Sequence, residues 1–136
     1  MRHKARIITL QALYEVDSVG REPEEALTHL LSENEIPDES VTMVRELVKG
    51  VVEKKSEIDK VISRFAPAWP IDQVSVIDRN ILRLAIFEIL FDNRVPIKVA
   101  VSEAVYLAST FGSETSIKFV NGVLGSVSAN KDRQDF

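Results

Sequence analysis

His3 and His29 are the only imidazoles in this 136-residue chain. Neither has a second ligand at zinc spacing, such as His-Glu-x-x-His, so no metal site is expected. The chain has no cysteine, which removes disulfides, thiolate ligands and a thiol nucleophile together. Ser102, Ser113 and Ser126 lack a histidine partner nearby in sequence. No Gly-x-Ser-x-Gly elbow, phosphate loop or Gly-x-Gly-x-x-Gly occurs, and the glycines are scattered. Paired acids such as Glu24-Glu25 read as helix-start charges, where carboxylates meet the positive end of the helix dipole. These residue types argue against an enzyme, and no cofactor is expected.

Charge says more by position than in total. The net charge is −4. The first six residues hold Arg2, Lys4 and Arg6, with His3 among them and no acid. The rest of the chain carries 14 basic and 21 acidic residues. A basic tip on an acidic body suggests one defined anionic partner or a solvated helix end, and not indiscriminate polyanion binding. Arg2 and Arg6 are four residues apart and share a helix face, Lys4 flanks them, and the helix N-terminal amides add positive potential. Nucleic-acid phosphates suit such a tip. Tyr14 offers a ring for base stacking, worth ~1–3 kcal/mol, or a partly buried core side chain.

The elements that must position these groups read as about seven helices. Residues 4–17 carry Ile8, Ala12, Leu13 and Val16 at helical spacing, with Gly20 as a stop. Pro23 opens a second helix whose face is Ala26, Leu27, Leu30 and Leu31. After Pro37, Asp38 or Ser40 can cap a third helix bearing Val41, Val44, Leu47, Val48, Val51 and Val52. A fourth, about 56–66, ends at Ala66-Pro67, because a residue before proline avoids helical geometry. Pro67–Pro70, around Trp69, is an apolar joint within one domain.

Ile77 to Phe91 is apolar nearly all round and reads as a central buried helix. Arg83 and Glu88 lie within it, so each is expected to form a charge pair, mutual or with another helix. Pro96 opens the next helix, which stops at Gly112. The last presents Ile117, Val120, Val123, Leu124 and Val127. Gly122 and Gly125 cost that helix ~1 kcal/mol each, which suggests that something packs close to their face. Residues 131–136 are expected to fray. No apolar run approaches the ~20 residues of a membrane span, no signal peptide is recognisable, and a cytoplasmic location is expected.

Specific stretches resemble a known family. Ala5-Arg6 followed by Leu10-Gln11-Ala12-Leu13-Tyr14 is similar to the opening of the NusB family of bacterial transcription antitermination factors. Ile77-Asp78-Arg79-Asn80-Ile81-Leu82-Arg83-Leu84-Ala85 resembles its central helix, and Val95-Pro96-Ile97-Lys98-Val99-Ala100-Val101-Ser102-Glu103-Ala104 the next one. Phe111-Gly112 and Lys118-Phe119-Val120-Asn121-Gly122-Val123-Leu124-Gly125 resemble its last. The resemblance implies an all-α fold of two small packed helical sub-bundles, about 1–55 and 56–130, in one domain covering 1–136.

The resemblance further implies binding to single-stranded boxA RNA of ribosomal and leader transcripts, together with NusE, a small-subunit ribosomal protein, in an RNA polymerase antitermination complex. It places RNA contacts at Arg2, His3, Lys4, Arg6, Tyr14, Lys118, Phe119 and Asn121, and a NusE contact at Asp78. His3 and Lys4 stand where arginine is frequent in the family, so unaided RNA binding is expected to be weak. Thr115 stands where some members carry an acid, so no role transfers there. Glycines at 122 and 125 would admit RNA or a neighbouring helix. Phe119 and Asn121 are expected beside the basic tip. The competing function is a protein–protein adaptor, with a homodimer as one form of it. An RNA-modifying enzyme is a weaker rival, because the chain has no room for a cofactor-binding α/β domain.

Overall fold

A computed structural model describes residues 2–131, with the backbone alone at Arg2. The expected fraying of 131–136 falls, apart from Lys131, outside the described residues. The described chain is all helical: α1 Arg2–Tyr14, α2 Pro23–Glu33, α3 Asp38–Phe65, α4 Val76–Leu90, α5 Ile97–Phe111 and α6 Ser116–Asn130. A π-helical turn, Glu15–Val19, extends α1, and a 3-10 turn, Ile71–Gln73, precedes α4. None of these helices is long and apolar enough to cross a membrane.

Punctuation residues act where their chemistry dictates. Gly20 closes the π turn at φ 75°, in the left-handed region that suits glycine. Pro23 opens α2, and Pro37 and Pro96 immediately precede α3 and α5. The Ser75 hydroxyl accepts from the Asp78 amide at 3.1 Å and caps α4. Neither Asp38 nor Ser40 caps α3, which begins with no side-chain cap.

Six helices stand close to the expected seven, and the difference is a fusion. The expected third and fourth helices are the single 28-residue α3. The apolar pattern lapses across Val52–Glu57, all exposed, but no residue there breaks a helix. Val51 and Ile58, two turns apart, keep the same buried face.

α4 is the hub and packs on α5, α3, α6 and α1. Ile81, Leu82, Leu84, Ala85, Ile86 and Ile89 are buried along it. α3 crosses it closely at Gly50, where any added Cβ would run into the Phe87 ring. The two expected charge pairs are made with other helices. Arg83 donates to Asp59 of α3 through Nε (2.8 Å) and Nη2 (3.0 Å), and to Asp17 of the π turn at 2.9 Å. Asp17 also accepts from Arg79 at 2.7 and 2.8 Å and from Asn80 at 2.9 Å. These donors, Arg79 foremost, hold its carboxyl at about 2.

Candidate nucleic-acid interface

The first turn of α1 docks on α5. His3 and Lys4 are exposed there, while Ala5 and Ile8 are buried. The His3 ring stacks on Tyr106 with centroids 3.9 Å apart, and its Nδ1 lies 3.0 Å from Glu103 Oε1. The side chain of Arg2 lies outside the described residues.

Arg6 differs from its expected place on the phosphate-facing surface. Its side chain is 1 % exposed. It donates to Glu88 of α4 through Nε at 3.0 Å and through Nη2, and its Nη1 lies 3.7 Å from Glu103. A buried guanidinium needs a carboxylate, and the docking of α1 on α4 supplies one 82 residues away. Burial pushes the Glu88 carboxyl above its usual range, and Arg6 opposes that shift. Arg6 therefore fixes the tip from inside, and among the described basic side chains of the tip it is Lys4 that faces solvent.

Tyr14 closes α1 at 39 % exposure. It lines a groove of about 390 Å³ with Leu10, Gln11, Leu30, Ile77 and Phe111. The ring is thus both accessible and part of an apolar surface.

On α6, Lys118 and Asn121 are exposed and Phe119 is half-buried against the core. Phe119 lines a groove of about 300 Å³ with Trp69, Gln73, Val74, Ser75, Asp78 and Thr115. The structure therefore brings the expected RNA residue Phe119 together with the expected partner residue Asp78. That groove is not walled by α1, and α6 packs chiefly on α5, α4 and α3. A Cβ at Gly122 or Gly125 meets nothing within 4 Å, so none of the described helices packs there. The close neighbour that their cost suggested is not found among the described residues.

Two features escaped the sequence. Trp69, 55 % exposed, lines the Phe119 groove; its place between two prolines marked a joint but not a surface. The Glu103–Tyr106 contact to His3 left no local signal, because it joins residues 100 positions apart. Among the described residues, no three His, Cys, Asp or Glu side chains gather as a metal site would require.

The NusB family model matches residues 3–129. The transcription antitermination protein NusB of Dehalococcoides mccartyi strain CBDB1 is 54 % identical over 127 residues, covering 93 % of this chain and 89 % of that protein. That of Chloroflexus aggregans is 43 % identical over 128 residues, covering 93 % and 85 %. A solved structure of T. maritima NusB superposes with a TM-score of 0.88 at 35 % identity, over 95 % of this chain and 91 % of that one. A chain in a crystal structure of NusB and NusE in complex with double-stranded RNA gives 0.86 at 29 % identity, over 95 % and 98 %.

Proposed function

Since this chain belongs to the NusB family, a family of transcription antitermination factors and not of enzymes, we propose that it binds boxA RNA together with NusE and so supports transcription of ribosomal RNA operons. The likeness to a NusB chain seen with both NusE and RNA carries this proposal. The exposed His3 and Lys4 on an otherwise acidic chain support it from the residues. Capture of phosphates by the tip comes first, and polar and aromatic side chains then read single-stranded bases. Arg2, His3, Lys4, Tyr14, Lys118, Phe119 and Asn121 are the proposed RNA contacts. Arg6 serves through the position of the tip. Asp78, which lines the Phe119 groove, is the proposed NusE contact. Residues 1–136 act as one domain, with sub-bundles of about 1–55 and 56–130, in a cytoplasmic RNA polymerase antitermination complex.

A protein–protein adaptor, including a homodimer, is favoured by one observation: the apolar groove of Leu10, Tyr14, Leu30, Ile77 and Phe111. Fluorescence anisotropy of labelled boxA RNA, with and without NusE at two salt concentrations, separates the two. Salt-dependent binding tighter than to scrambled RNA, and strengthened by NusE, is expected. Equal or absent binding to both RNAs with NusE present leaves the adaptor.

A further inference from the structure

His3 stands in the basic tip among Arg2, Lys4 and Arg6, and a neutral imidazole there would lack charge. Its surroundings supply a remedy. The ring is held by two side chains of α5: it stacks on Tyr106 at 3.9 Å with planes 20° apart, and its Nδ1 lies 3.0 Å from Glu103 Oε1. An ionised carboxylate can only accept, so Nδ1 carries the proton of the neutral ring. Nε2 is then the only ring nitrogen at which a further proton can enter. The doubly protonated ring donates Nδ1–H to Glu103 and has Nε2–H left for an external acceptor. The side chain remains 52 % exposed, which leaves room for that acceptor.

The clamp is itself braced. His3 and Arg6, three residues apart on one helix face, both approach Glu103 Oε1, Arg6 at 3.7 Å. Glu88 of α4 fixes Arg6 from the other side. Among the described residues, the charged and titratable groups around the ring are Glu103 and Tyr106 on α5, Lys4 and Arg6 on its own helix, and Glu88 behind Arg6.

We propose that Glu103 and Tyr106 are positioning residues that hold His3 so that its Nε2 takes a proton from solvent and donates it in a hydrogen bond to an RNA phosphate. RNA binding by this chain is then accompanied by proton uptake at His3. This rests on the RNA-binding function proposed above.

The test compares wild type, His3→Gln, Glu103→Gln and the double variant. Affinity for labelled single-stranded boxA RNA is measured at constant salt from about pH 8 to about pH 6, the range in which histidine commonly changes charge. Melting temperature and NusE binding serve as controls. Wild type should bind several-fold tighter as the pH falls, and His3→Gln should lose that dependence. Glu103→Gln should weaken binding at the acid end by about three- to tenfold, the scale of one hydrogen bond. The double variant should be no worse than His3→Gln alone, because Glu103 acts through His3. Equal pH dependence in wild type and His3→Gln, or losses that multiply in the double variant, overturns the positioning role. If wild type binds RNA in a salt-dependent way without this signature, only the His3 inference fails. If wild type binds no RNA at any pH even with NusE present, the proposed function fails with it.

Discussion

Arg6→Ala separates a cation that contacts RNA from one that holds the tip in place. The substitution leaves Glu88, 3 % exposed, without its bidentate partner in the core. Breaking a buried pair from one side costs about 3–5 kcal/mol. Unfolding entropy of about 2.1 cal/mol/K per residue converts that to a fall of about 10–17 °C in Tm for a chain of this length. The loss should depend on pH, and its sign follows from Glu88. Burial already raises its carboxyl above the unfolded value, and Arg6 opposes the rise. Without Arg6 the folded-state value climbs further. A group raised on folding stabilises fully below its unfolded value and loses that contribution as pH rises through the folded one. Arg6→Ala should thus be most damaging at alkaline pH and partly recover on acidification. The pair Arg6→Met with Glu88→Leu, which leaves no orphaned charge, should regain most of the stability. Urea denaturation across pH reads all three proteins. An unchanged urea midpoint in Arg6→Ala, with RNA affinity selectively lost, would refute the buried role and return Arg6 to the phosphate-facing surface.

Three further outcomes follow from the packing. Gly50→Ala gains helix propensity but drives a methyl into the Phe87 ring where α3 crosses α4; overpacking of this kind costs ~1–3 kcal/mol, and thermal melts should show a net loss. Asp17→Asn removes a carboxylate held at about 2. A group lowered on folding contributes above its unfolded value and loses that contribution as pH falls through the folded one, so the variant should lose about 2 kcal/mol at neutral pH, with the difference vanishing below about pH 2 in acid denaturation. Gly122→Ala and Gly125→Ala meet open space and should each stabilise the protein by up to ~1 kcal/mol in urea titrations; if RNA or NusE approaches this face closely, the same variants should bind that partner more weakly.

What the sequence discloses and what it hides divide along a physical line. Helix identity is local: the all-round apolar α4, the left-handed Gly20 and the stop at Ala66-Pro67 are each written within a few residues. The continuity of α3 is local too, but it lies in phase and not in polarity, since Val51 and Ile58 stay on one face across an exposed charged stretch. The fate of a charge is not local. Arg2, Lys4 and Arg6 look alike in sequence, yet Arg6 goes inside because Glu88 of a distant helix meets it there. The same docking decides His3, whose partners Glu103 and Tyr106 are brought to it by the packing of α1 on α5. Composition can therefore locate a basic tip, but only tertiary packing sorts its members into cations that face solvent and cations that hold the surface in place. If the tip binds RNA as proposed, a buried Arg6 is as necessary to that surface as an exposed Lys4, because an unanchored first turn of α1 would have to be ordered at the cost of binding energy each time RNA arrives. The glycines of α6 make the complementary case. With no neighbour at Gly122 or Gly125 among the described residues, their cost to the helix has no explanation in the described packing, which leaves the surface they open as the place to look for one.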